Sequence, residues 1–141
     1  ETKKCKENQH EIYSIPVSAR KAKDAKRLTN DKVSANDVYV SPDGKRAAWL
    51  HLKGWVPLSL ETFISDYSKE NGITNIKSCK GGLTNWMPDS SGLLVNINAN
   101  GSPFGISQMD FNCKIVNDLA PKEKFEKGMI YMFPTFGTFA N

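Results

Sequence analysis

Val40-Ser41-Pro42-Asp43-Gly44-Lys45-Arg46-Ala47-Ala48-Trp49-Leu50 is the stretch on which the fold turns. Its centre, Ser-Pro-Asp-Gly, is turn chemistry: proline presets φ, the aspartate carboxylate bonds back to nearby backbone amides, and glycine accepts positive φ. The flanks, Asp37-Val38-Tyr39-Val40 and Arg46-Ala47-Ala48-Trp49-Leu50-His51-Leu52, are short and rich in β-branched and aromatic residues, so the stretch predicts a hairpin. The pattern returns twice. Asn85-Trp86-Met87-Pro88-Asp89-Ser90-Ser91-Gly92-Leu93-Leu94-Val95 and Tyr131-Met132-Phe133-Pro134-Thr135-Phe136-Gly137 set Pro42, Pro88 and Pro134 at intervals of 46 residues (88 − 42 and 134 − 88).

Outward from these turns, the chain reads as short strands. His10 to Val17 alternates, with Ile12 and Ser14 on one face and Tyr13, Ile15 and Val17 on the other; Pro16 removes a ladder donor, so this strand ends there or lies at an edge. A basic connection leads to a short strand within Ala25 to Asp31. Val56 to Tyr67 fits either a strand or a short helix by pattern, and the period decides for a strand. Asn71-Gly72 turns the chain into Ile73 to Ser78. The next round runs Leu83 to Trp86, Leu93 to Ile97, Phe104 to Phe111 and Lys114 to Leu119. Four short strands per cycle is the count of a β-propeller blade of roughly 40 to 50 residues. The predicted fold class is therefore all-β, with blades of four-stranded antiparallel sheet and an incomplete ring: a half blade over 1–36, blades over 37–80 and 81–126, and the start of another over 127–141. A two-sheet sandwich is the competing all-β reading, but it does not require the proline interval to recur.

The 141 residues suffice for one domain, and 39% hydrophobic against 24% charged residues describes a globular chain. No apolar run reaches the roughly 18 to 20 residues of a membrane span. Glu1 is neither a start methionine nor the head of a signal peptide, so the chain reads as processed or cut from something longer. Much of the net charge of +4 sits in Lys3, Lys4 and Lys6 and in Arg20, Lys21, Lys23, Lys26 and Arg27, a solvated terminus and a loop rim. These cations lack interleaved aromatics, which argues against nucleic acid. Cys5, Cys79 and Cys113 show neither zinc nor haem spacing, and His10 and His51 are the only histidines, so no metal or other cofactor is expected. The cysteines read either as small strand-end residues or as one disulfide plus a spare thiol; the pairing stays open.

Candidate chemistry is sparse. Asp43 and Asp89 belong to the repeated turn, and Pro42, Gly44, Pro88 and Pro134 are structural turn residues with them. Asp66, Asp110 and Asp118 form no recognisable acid–base pair. His51, near a strand end, reads as a packed or surface histidine. Ser41 lacks the flanking glycines of a nucleophile elbow, and Asn96, Asn98 and Asn100 lack the alternating acids of a calcium loop. No catalytic residue is expected. Trp55, beside Gly54 in a connection, is the best candidate for an exposed binding residue.

Arg27-Leu28-Thr29, followed about a dozen residues on by Val40-Ser41-Pro42-Asp43-Gly44-Lys45, resembles the TolB-like (WD40-like) β-propeller repeat. Glu11-Ile12-Tyr13 looks like that repeat's Glu-Ile-Tyr strand, and Trp86-Met87-Pro88-Asp89 keeps its aromatic, proline and aspartate. Departures are Val40 for the usual Trp, Met87 for Ser, two residues inserted before Gly92, and no Asp after Pro134. The resemblance implies a non-catalytic protein-binding or scaffold module of the bacterial cell envelope, periplasmic or extracellular, acting as an accessory subunit of a larger complex. The alternative it implies is the propeller of a prolyl-oligopeptidase-like hydrolase whose catalytic domain is not in this chain. About three blades are too few for a family ring, so the chain is expected to be part of a larger propeller, or to be completed by a protein partner or a second copy.

Overall fold

The turns at Pro42 and Pro88 each join the first two strands of a four-stranded antiparallel sheet. The computed structural model describes residues 10–30, 35–55, 58–97 and 105–120, except for the side chains of 52–55, 58, 84, 97 and 120. Strands β3 (Asn36–Val40), β4 (Arg46–Trp55), β5 (Leu58–Ser68) and β6 (Gly72–Lys80) form one sheet in chain order. A second follows, of β7 (Gly82–Trp86), β8 (Leu93–Ile97), β9 (Gly105–Met109) and β10 (Ile115–Ala120), again in chain order. Before them, β1 (Tyr13–Ser14) and β2 (Lys26–Arg27) pair as a two-stranded antiparallel sheet, linked through a 3-10 turn at Ala22–Asp24. The fold is all-β, and among the described residues no sheet closes on itself. The stretch that sequence pattern left between strand and helix is β5, paired on both sides, with Ala48↔Ile64 toward β4 and Thr62↔Cys79 toward β6.

The two turns share one geometry. Ser41 N–H donates to Arg46 O (2.9 Å) and Gly44 N–H to Ser41 O (2.8 Å); Met87 N–H donates to Gly92 O (2.9 Å) and Ser90 N–H to Met87 O (2.9 Å). Each aspartate Oδ1 then accepts an N–H two residues on, from Lys45 and from Ser91, both at 3.0 Å. Ser90 (φ 60°) therefore stands where Gly44 (φ 73°) stands, and Gly92 stands where Arg46 does. The two-residue insertion expected before Gly92 is not there. A serine in the left-handed region replaces the turn glycine, and Gly92 immediately precedes β8.

Alternation gives each sheet two faces. Ala48, Ile64 and Cys79 meet Leu83, Trp86, Leu93, Val95 and Met109 of the second sheet in one buried cluster, bordered by Tyr39, Leu50, Phe111 and Cys113. Polar and covalent links pin the same interface. Trp86 Nε1–H donates to Tyr39 O (3.2 Å), Asp43 N–H to Ser90 Oγ (3.0 Å) and Lys77 Nζ to Phe111 O (3.2 Å). The Arg46 guanidinium lies 4.0 Å above the Phe111 ring. The disulfide joins Cys79 of β6 to Cys113 in the β9–β10 hairpin. Trp86→Phe keeps most of the burial and loses the N–H, so it is expected to cost about 1 kcal/mol, read as a lower urea midpoint.

On the other face of the first sheet, Trp49 stacks on Phe63 (5.6 Å between centroids) and His51 meets Phe63 edge-on. His51 lies within β4 opposite Glu61 rather than at the strand's end. The β1–β2 sheet is tied to the first sheet at several points: Ala35 N–H donates to His10 O (2.9 Å), Lys26 Nζ to Glu70 O (3.5 Å), and Leu28 Cδ2 sits against Gly72. Within it, Glu11-Ile12-Tyr13 pairs with Arg27-Leu28-Thr29. Ile12 N–H donates to Thr29 Oγ1 (2.9 Å), Thr29 Oγ1–H to Glu11 Oε2 (2.6 Å), and Arg27 holds Glu11 Oε1 at 2.6 Å. The alternating stretch through Val17 contributes only Tyr13 and Ser14 to the ladder. Pro16, with no N–H to give, stands just beyond.

Candidate functional site

The carboxylates singled out in the sequence are engaged locally and are not brought together. Asp43 sits below the usual 3.8, chiefly because the Ser41 hydroxyl donates to it, with help from the Lys45 N–H. Asp89 is lowered likewise by the Ser91 hydroxyl and N–H. Met87, in the place of Ser41, offers no hydroxyl; Ser91, in the place of Lys45, supplies it. Asp66 accepts from Asn75 Nδ2 (2.8 Å), Asp118 from Ser107 Oγ (2.5 Å), and Asp110 from the Asn112 and Lys114 N–H groups of its own hairpin. These bonds make the aspartates parts of turns and ladders.

A folded-state pKa held below the unfolded value contributes stability that is present above the unfolded pKa and lost as pH falls through the folded one. The urea midpoint is therefore expected to drop as pH falls below about 3.8. In Asp43→Asn/Asp89→Asn, whose amide oxygens still accept the turn N–H bonds, the drop should be shallower. Urea titrations from about pH 5 to about pH 2 check this.

Among the other candidates, Ser41 is buried, its hydroxyl donating to Asp43 and accepting from the Arg46 N–H at 2.9 Å. Asn96 is buried with its Nδ2 toward Gly105 O, while Asn98 and Asn100 lie outside the described residues. Trp55 ends β4 opposite Leu58; its side chain lies outside the described residues, as do Cys5 and Pro134. No cluster of three or more metal-ligating side chains occurs among the described residues. No helix among them is long and apolar enough to cross a membrane.

What the structure does assemble lies on the β1–β2 unit. Tyr13, Ile15 and Val17 are 56%, 54% and 104% exposed, an uncovered apolar row. Directly after it the chain bends, with Ala19 N–H donating to Pro16 O, and forms an open concavity of about 490 Å³. Arg20, Lys21 and Lys23 line it against one carboxylate, Asp24. The alternation and the cations were separately visible in the sequence. Their juxtaposition depends on the bend after Pro16, which no local pattern announces. Comparison with protein-family models, curated proteins and solved structures finds no match to this chain.

Proposed function

We propose that this chain is a non-catalytic, propeller-type binding module that engages an acidic protein partner through the Arg20–Lys23 concavity. The observation that carries the reading is the surplus of positive charge there: three cations face one carboxylate in a concave surface bordered by exposed apolar side chains. Such a surface favours a ligand that brings both negative charge and apolar contact. The stacked four-stranded sheets, tied by a disulfide and by cross-sheet hydrogen bonds, support the propeller reading. The disulfide also fits an oxidising compartment, in keeping with the envelope setting that the repeat resemblance implies.

A photo-crosslinking residue at Ala19, introduced into the chain in its native cells, tests the reading. The expected adduct is with a protein whose crosslinked segment is acidic, and Arg20→Glu/Lys21→Glu/Lys23→Glu abolishes it without changing the melting temperature. Adducts that survive charge reversal would refute the assignment.

A further inference from the structure

Strand β1 turns backbone as well as apolar side chains outward. Leu28 N–H donates to Ile12 O, and the register sets Tyr13 opposite Arg27 and Ser14 opposite Lys26. Ile12 and Leu28 are therefore a hydrogen-bonded pair, and so are Ser14 and Lys26, because bonded and non-bonded pairs alternate along an antiparallel ladder. Tyr13, and Ile15 held extended by the proline after it, direct their N–H and C=O groups away from β2. Among the described residues β1 pairs with β2 alone, so this edge has open ladder positions at Tyr13 and Ile15. The same two residues carry exposed apolar side chains, and Val17, at the corner of the bend, extends that surface.

The edge runs straight into the basic concavity. The salt bridge among the described residues joins Arg27 to Glu11, so Arg20, Lys21 and Lys23 keep their charges unpaired there. Each feature asks something different of a ligand: the edge asks for peptide groups, the apolar surface for side chains on alternate residues, and the concavity for carboxylates. A lipid surface offers charge and apolar contact but no peptide ladder. An extended peptide segment offers all three.

Resting on the acidic-partner reading above, we infer that the partner is held as an added strand. An extended segment with apolar residues at alternate positions pairs with the outer edge of β1, and acidic residues just before it enter the concavity of Arg20, Lys21 and Lys23. Antiparallel addition, the sense of every ladder among the described residues, places the N-terminal end of the segment beside Val17, where the concavity begins. The segment's apolar residues then stand opposite Tyr13 and Ile15, and their own N–H and C=O groups complete the ladder. The addition satisfies an open edge and covers an apolar surface in one step.

The test measures, by fluorescence anisotropy, binding of the 141-residue chain with its disulfide intact to the synthetic peptide Asp-Glu-Asp-Val-Thr-Val-Thr-Ile. N-methylation of the second Val and the Ile removes ladder donors and is expected to weaken binding at least about tenfold, whereas N-methylation of the two Thr changes it less than about twofold. Arg20→Glu/Lys21→Glu/Lys23→Glu should abolish binding without changing the melting temperature. Equal effects of the two methylation patterns, with binding still abolished by charge reversal, overturn the strand addition and leave the acidic-partner reading in place. Binding that survives charge reversal overturns both. No binding of the unmodified peptide also overturns both; cosedimentation with phosphatidylserine vesicles, or a dimer by sedimentation, would then name a lipid surface or a second copy as the occupant.

Discussion

Removing the Cys79–Cys113 disulfide lowers the stability of the folded chain by about 4 kcal/mol, on the chain-entropy account of a cross-link closing a loop of this length. The bridged cysteines are 34 residues apart in sequence and join the last strand of one sheet to a hairpin of the next, so the bond restrains the unfolded chain over β7, β8 and β9 of the second sheet. Its effect adds to an interface that already exists. Cys79 is buried within the core cluster, and Lys77 reaches Phe111 beside it. Cys79→Ala/Cys113→Ala is therefore expected to fold with the same sheet order and to unfold at a much lower urea concentration. Cys113 occupies the left-handed region (φ 65°), where a non-glycine residue costs about 1 to 2 kcal/mol. Cys79→Ala/Cys113→Gly should accordingly recover about 1 kcal/mol of the loss. If the oxidised parent and Cys79→Ala/Cys113→Ala unfold at the same urea concentration, the bond contributes nothing to the stacking of the sheets.

That bridge also marks where sequence reasoning stops. Pro42 and Pro88 were legible as equivalent turns because the signal is local: a proline, an aspartate accepting an amide two residues on, and strand-forming flanks. The strand nature of β5 followed from the same period, although its own pattern was ambiguous. Pairing among three cysteines depends instead on how two sheets stack, and nothing within a sheet reports that. The exposed face of β1 is a mixed case. Alternation separated Tyr13, Ile15 and Val17 from Ile12 and Ser14 correctly, yet which row is covered depends on the neighbouring sheet: Ile12 is 7% exposed and Val17 fully so. The basic stretch after it read as a plain solvated rim, because a concavity is a property of the bend and not of the residues that line it.

Gly92 shows the same divide at one residue, and replacing it with alanine is expected to cost about 3 kcal/mol, the upper end of what crowding a packed site usually does. A Cβ there would collide with the carbonyl oxygen of Met109. That carbonyl has little room to yield, since Met109 is paired with Leu93 on one side and Ile115 on the other and its side chain is 1% exposed. Either the turn opens or the β8–β9 ladder shifts. Gly44, the glycine of the first turn, is the control. Nothing lies within 4 Å of a Cβ at that position, so only its φ of +73° opposes substitution. Gly44→Ala should cost about 1 kcal/mol, and Gly44→Asn less, because asparagine tolerates the left-handed region. Gly92→Asn should be at least as damaging as Gly92→Ala, because backbone preference is not what the position demands. Ser90→Gly completes the set: it relieves a left-handed serine but removes the hydroxyl that accepts the Asp43 N–H, and the two effects should nearly cancel. Urea midpoints of the five variants, measured with the disulfide intact, separate crowding from conformation. Equal losses for Gly92→Ala and Gly44→Ala would mean that the close approach of β9 to the second turn is not what keeps position 92 a glycine.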